Sequence, residues 1–315
     1  MANTFTPAYR KLLETGELAA RVCRAYAQLK DCNLCAWRCG VDRTKKVGFC
    51  KTGAHAVVSS YFAHLGEEDP LRGWAGSGTI FFAHCNLRCQ YCQNYEVSQE
   101  GEGLEVQPEG IAAMMLELQA RGCHNINFVS PSHVVAQILA GVLIAANAGL
   151  RIPLVYNTGG YDSLEALALL DGVIDIYMPD MKYADAATAQ KYSKIPDYPA
   201  HNVAAVREMH RQVGDLALDA KGIAQRGLLV RHLVLPHDVA GTAAIMRFLA
   251  EEISPDTYVN VMGQYRPAWR VAQRNIAPLD RPVRSDEVAE AERIARAAGL
   301  HRLDERKARF VFINW

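Results

Sequence analysis

Seven of the nine cysteines in this 315-residue chain fall into two tight groups, and these limit its fold more than any other feature. One group is Cys85-Asn86-Leu87-Arg88-Cys89-Gln90-Tyr91-Cys92, a C-x3-C-x2-C run; the other is Cys32-x2-Cys35-x3-Cys39-x10-Cys50. At this length roughly three quarters of the unfolded chain's surface can be buried, so no disulfide staples are needed. Met1–Arg10 is polar and no apolar signal segment follows it, which predicts a cytoplasmic location and reduced thiols. There, clustered cysteines hold metal or do chemistry. Cys23 and Cys123 stand apart from both groups and read as small buried hydrophobes.

The second run places three thiolates on one short loop. Structural zinc takes four ligands, and a four-iron cluster normally takes four cysteines. Three with no fourth nearby point to a cluster with one iron left open. A zinc site completed by His84 is the alternative.

Around these cysteines the chain alternates two patterns. Thr79–Ala83, Asn125–Ser130, Pro153–Thr158, Val173–Pro179, Leu228–Leu235 and Thr257–Met262 are apolar, β-branched or aromatic runs that read as strands. Between them Ile111, Met114, Met115 and Leu118 keep helical spacing, as do Val134–Ala148, Ser163–Leu170, Ala184–Tyr192, Asn202–Val213 and Thr242–Glu252. Such alternation predicts an α/β fold with a parallel sheet and right-handed crossovers. Polar residues stand at the ends of the strands, where sites form in barrels of this kind: Ser130 to His133, Asn157 to Gly160, Asp180 to Lys182, and Gln264 to Arg266, with Arg231 inside the fifth strand.

The Cys85–Cys92 run, with Tyr91 in its aromatic place, resembles the radical S-adenosylmethionine (SAM) superfamily. The resemblance implies a partial (β/α)6 TIM-like barrel, a [4Fe-4S] cluster on Cys85, Cys89 and Cys92, and SAM chelated at the open iron. One electron then breaks the sulfonium C–S bond and yields a 5′-deoxyadenosyl radical. Phe81–Asn94, Gly66–Pro70 and Gly76-Ser77-Gly78 are similar to glycyl-radical-enzyme activating proteins, in particular to uncharacterised homologues of the pyruvate formate-lyase activating protein. That likeness runs from about Asp31 to about Tyr265. It implies backbone contacts to adenine around Tyr91, and SAM contacts from Asn157, Asp180, Lys182, Arg231 and either Gln264 or Tyr265. Where activases carry Gly-Gly-Glu-Pro, this chain has Val129-Ser130-Pro131-Ser132-His133, so Ser130 and Ser132 stand in as hydroxyl or backbone donors. Other readings remain open: an ordinary ion pair for Asp180 and Lys182, a structural ion pair for Arg231, a helix cap for His133 and a turn for Asn157.

Cys32, Cys35, Cys39 and Cys50 supply four thiolates in nineteen residues. Such a set suits structural zinc or a second iron–sulfur cluster, although its spacing departs from the ferredoxin run. Leu18, Val22, Tyr26 and Leu29 place an amphipathic helix before it. The expected organisation is therefore a metal-binding appendage over residues 1–75, the barrel over 76–266 and an extension over 267–315. The extension should hold a helix at Ser285–Ala298, capped by Ser285, and a late strand at Arg309–Ile313.

The charges balance, 34 basic against 34 acidic, which gives no footprint for nucleic acid or an anionic membrane. Gly122–Leu150 lacks charge, but its mostly apolar part, Val134–Ala146, is shorter than the ~20 residues of a bilayer span. It reads as a buried strand, a loop and a buried helix. No cysteine follows Cys123, which argues against C-terminal auxiliary clusters. The expected partners are a protein or peptide substrate and an electron donor such as flavodoxin or ferredoxin. A small-molecule substrate, or a non-catalytic metal or electron-transfer protein, are the rival expectations.

Overall fold

The structure, a computed structural model, describes residues 5–305. The strand expected at Arg309–Ile313 lies outside the described residues. Nine strands form the sheet: β1 (Ala56–His64), β2 (Ser77–Phe82), β3 (Leu104–Val106), β4 (Ile126–Val129), β5 (Leu154–Thr158), β6 (Ile176–Pro179), β7 (Ala217–Leu218), β8 (Ala224–Leu233) and β9 (Tyr258–Met262). Their order is β3-β1-β2-β4-β5-β6-β8-β7, with β9 also pairing β8. The run β2-β4-β5-β6-β8-β9 is parallel throughout, so all six expected strands form the arc of a partial barrel.

The alternation of side chains along these strands sorts them into two layers. Ile80, Phe82, Ile126, Phe128, Leu154, Tyr156, Leu228, Val230 and Val259 point outward into a core shared with the helices. Val155, Ile176, Met178 and Leu229 point inward and meet Leu71, Leu216 and Ala224 at the base of the barrel. Burying each large apolar side chain of this kind contributes about 1.5–3 kcal/mol. Above that plug the inward positions turn polar: Asn127, Asn157, Arg231 and Asn260.

The uncharged stretch resolves into β4, a loop and the helix Val135–Asn147, in which ten of thirteen residues are buried. It is apolar on nearly every side because it is covered twice. The sheet lies under it, and the helices Tyr9–Glu14 and Glu17–Ala27 lie over it. These N-terminal helices are pinned by Tyr9 Oη to the Ile152 carbonyl (3.1 Å) and Arg10 to the Ala146 carbonyl (2.8 Å). Among the described residues no helix is long and apolar enough to cross a membrane.

Two expectations need correction. The sheet does not begin at residue 76, because β1 pairs antiparallel with β2 and carries β3 on its far edge. The late helix spans Ser285–Ala297, and its N-cap is Arg284 rather than Ser285. The Glu287 carboxylate accepts the Arg284 backbone N–H at 2.9 Å, which moves the helix start by one residue. Cys123 is buried as expected, whereas Cys23 is exposed on its helix.

Candidate active site

The chain leaves β2 at Phe82 and turns over the C-terminal rim of the sheet as the loop holding Cys85, Cys89 and Cys92. Gly159, after β5, makes room for it, and Gly160 makes room for Asn202 and the Asp180 backbone. A Cβ at Gly159 would stand 2.5 Å from Leu87 Cδ1, and one at Gly160 would stand 2.1 Å from Asn202 Nδ2 and 2.5 Å from the Asp180 carbonyl oxygen. The three sulfurs are individually held. The Leu87 N–H lies 3.4 Å from Cys85 Sγ, the Ser193 hydroxyl donates to Cys89 Sγ at 3.0 Å, and Ser98 Oγ lies 3.1 Å from Cys92 Sγ. Burial, and after it the neighbouring thiols, push Cys85 up to about 12. Burial likewise raises Cys89, against the pull of Lys182. The Cys85 and Cys89 thiols are therefore poor thiolates by themselves and become thiolates when cations take their protons' place, which is what a cluster would provide.

His84 does not join them. Its ring faces Gly101, where a Cβ would fall 2.1 Å from His84 Cε1, and its Nδ1 is buried without a hydrogen bond. Among the described residues no group of three or more His, Cys, Asp and Glu side chains is arranged for a single metal ion.

Under the loop lies a line of alternating charges. Lys182 Nζ donates to Asp180 Oδ2 at 2.6 Å, and Arg231 Nε donates to Asp180 Oδ1 at 2.8 Å. Arg231 Nη2 also donates to Asn157 Oδ1 at 2.7 Å. Burial alone would raise Asp180, but Arg231 and Lys182 outweigh it and hold its carboxyl below the usual range. Burial would likewise lower Lys182, and Asp180 and Cys89 more than reverse this. Beyond Arg231 stand Glu68 and Glu67, whose charges favour the cation. Glu68 Oε1 accepts from Asn260 Nδ2 at 2.8 Å, while its Oε2 is buried without a hydrogen bond.

The other expected site residues divide. Tyr91 is buried in an aromatic group; its Oη accepts from Tyr183 Oη at 2.6 Å, and Tyr265 meets its ring edge-on at 5.7 Å. Tyr265 Oη is committed to the Leu279 carbonyl, whereas Gln264 is exposed at the rim with its carbonyl bound by Gln93. Ser130 has a φ of 58° and lines a cavity of about 200 Å³ with Phe62, Phe81, Asn94, Val129 and Ser98. Ser132 is buried away from it, bonded to Thr158 Oγ1 at 2.9 Å. His133 caps no helix. Its Nε2 lies 3.1 Å from the Ala83 carbonyl, and burial with Arg43 nearby pushes it down to about 3, so it stays neutral. Glu67, Glu68, Asn260, Ser98 and Ser193 received no role from the sequence. The Gly66–Pro70 segment was visible, but its placement in the lumen depends on the return of β1.

The four N-terminal thiols also gather. Burial raises Cys35, and the Cys50, Cys32 and Cys39 thiols add to that. A point at the missing Cβ of Gly48 lies 3.5 Å from both Cys39 Sγ and Cys50 Sγ.

The Radical SAM superfamily model matches residues 79–233, from β2 to the end of β8. An uncharacterised protein of Methanocaldococcus jannaschii is 28% identical over 279 residues, covering 86% of this chain and 76% of its own length. Among solved structures, a radical SAM methyltransferase from Sphaerobacter thermophilus is 15% identical at TM-score 0.47, over 70% of this chain and 64% of that one. A maturase of the [FeFe]-hydrogenase is 16% identical at TM-score 0.46, over 69% of this chain and 47% of that one. This chain thus spans less than two thirds of either solved structure. Over residues 79–233, just under half of its length, the chain is thus similar to the radical SAM superfamily.

Proposed function

We propose that this enzyme cleaves SAM reductively and uses the product to take hydrogen from a residue of a protein or peptide, a backbone glycine being the leading target. The observation that carries the reading is the position of the three cysteines over the buried Lys182–Asp180–Arg231 line. When bound, a [4Fe-4S] cluster on Cys85, Cys89 and Cys92 supplies the electron that breaks the sulfonium bond, giving a 5′-deoxyadenosyl radical.

The chain's own residues do the rest. Asp180 holds Lys182 and Arg231 charged in a water-poor lumen, where a carboxylate such as that of SAM is recognised by the guanidinium fork. Asn157 fixes the plane of that fork. Ser193 and Ser98 steady the sulfurs of Cys89 and Cys92. The aromatic group of Tyr91, Tyr183 and Tyr265 screens the loop from water. The four N-terminal thiols are read as a second metal site, zinc or iron–sulfur.

A polypeptide target is supported by the exposed Phe62, Leu65 and Leu104 along the β1 and β3 edge, beside the cavity that reaches Ser98. A small-molecule substrate has one supporting observation: a cavity of about 200 Å³ is the size for one compact apolar group. The test of the radical reading is 5′-deoxyadenosine release from anaerobically reconstituted enzyme with dithionite and SAM. Cys89→Ala abolishes release. If the folded wild type neither binds iron nor releases the nucleoside, the reading is discarded.

A further inference from the structure

Between Asp31 and Ala56 the chain has no helix or strand, only turns and an isolated bridge from Cys35 to Asp162. Such a stretch orders little apolar surface against its own chain entropy and needs a staple. Inside it lies Arg43, a guanidinium only 2% exposed. Among the described residues its partners are the carbonyls of Thr52 and Gly53 (3.1 Å from Nε), the His133 carbonyl (2.6 Å from Nη1) and Cys32 Sγ (3.8 Å). None is a carboxylate. A buried cation matched only by neutral groups is costly, and the one partner able to become an anion is the cysteine sulfur.

Resting on the reading of the four N-terminal thiols as a metal site, we propose that they hold a tetrathiolate centre for which Arg43 is the buried counter-ion, and that this centre clamps the radical-site loop. Since no group of side chains among the described residues is arranged for a single ion, the centre is a cluster, and four thiolates around an oxidised iron–sulfur cube leave a net charge of about −2. Loading releases the thiol protons to solvent, and Arg43 offsets part of the resulting charge.

The clamp consists of two side chains that join one cysteine loop to the other. Trp37, two residues after Cys35, donates its Nε1–H to the Asn86 carbonyl at 2.6 Å. Arg88 donates Nη2–H to the Phe49 carbonyl at 2.6 Å and Nη1–H to the Cys85 carbonyl at 2.8 Å. The residues before Cys50 and at Cys85 are thus bridged by one guanidinium. Trp37 stacks on Phe49 at 3.7 Å, and Arg88 lies over the Phe49 ring at 4.8 Å. On the other side, Arg43 holds the His133 carbonyl while the His133 ring holds the Ala83 carbonyl, two residues before Cys85. Trp37, Arg43 and Arg88 are positioning residues: they act on the loop through its backbone.

The test separates this centre from the radical cluster. The full chain carrying Cys85→Ser, Cys89→Ser and Cys92→Ser is purified anaerobically and its metals are counted. About four irons remaining per chain are expected, and one zinc in their place overturns the cluster. A folded chain with neither overturns the site. In that background Arg43→Lys keeps the metal, whereas Arg43→Met releases it to a chelator about 10–100-fold more readily; equal retention by the Met variant overturns the counter-ion role. Hydrogen exchange at residues 84–92 is then followed before and after chelation. Loss of protection there is expected, and unchanged protection with the metal gone overturns the clamp. If the triple variant does not fold, the full chain carrying Cys89→Ser alone takes its place in the same measurements. Release of 5′-deoxyadenosine by the wild type reports the radical reading independently.

Discussion

Asp180 holds two cations at once, with side chains on all three residues less than a fifth exposed. Replacing it by Ala leaves Lys182 and Arg231 buried without their ion pairs, so Asp180→Ala should cost about 3–5 kcal/mol of stability in urea unfolding. A loss below about 1 kcal/mol is the surface-pair value and would mean that water solvates the line. These residues were legible because each interrupts or ends an apolar parallel strand, where a charge has no structural excuse. Asn157 was legible in the same way, and its turn alternative gives way to the bond with Arg231. Glu68 was not. It follows a strand that does not read as one, and nothing in Gly-Glu-Glu-Asp-Pro tells a lumen residue from a solvated one. Arg43 was equally silent, since a lone arginine among Asp42, Lys45 and Lys46 looks like surface.

At the scale of elements, caps and glycines fix how helices meet the rim. Ser163 accepts the Ala166 N–H at 3.2 Å to start the helix Leu164–Leu170, and it donates to the Asn33 carbonyl at 2.9 Å. Ser163→Ala should therefore cost about 1 kcal/mol or slightly more in chemical unfolding. Gly160 has a φ of 78° and no room for a methyl group. Gly160→Ala should cost about 1–3 kcal/mol, read in the same unfolding assay. If it is tolerated, the approach of Asn202 to this turn is not tight. The six parallel strands were legible because both their faces are buried, so each reads as a largely apolar run. β1 was missed because it has one wet face and carries Ser59-Ser60 in its middle, beside a register shift between Val58 and Ser60. β3 and β7 are too short to leave a pattern.

On the scale of the whole molecule, Asp175 ties the N-terminal helices to the sheet. Its carboxylate accepts the Ala8 N–H at 2.8 Å and the Leu154 N–H at 3.1 Å. Burial nevertheless pushes it up to about 7, outweighing those bonds and Arg226. In the unfolded chain an Asp titrates near ~3.9. Between about pH 4 and pH 7 the folded chain therefore holds a proton that the unfolded chain lacks, so stability falls as pH rises through that window. Asp175→Asn removes the effect, and its Tm relative to wild type should climb from pH 5 to pH 8 in thermal melts. A difference that stays constant would place the titration in other groups. The segment from Leu65 to Arg72 also acts on the whole. It crosses beneath the strands and sets Leu71 among Val155, Ile176 and Met178, so the vessel is stoppered at its base. A ligand in the upper chamber is thereby kept from the N-terminal ends of the strands.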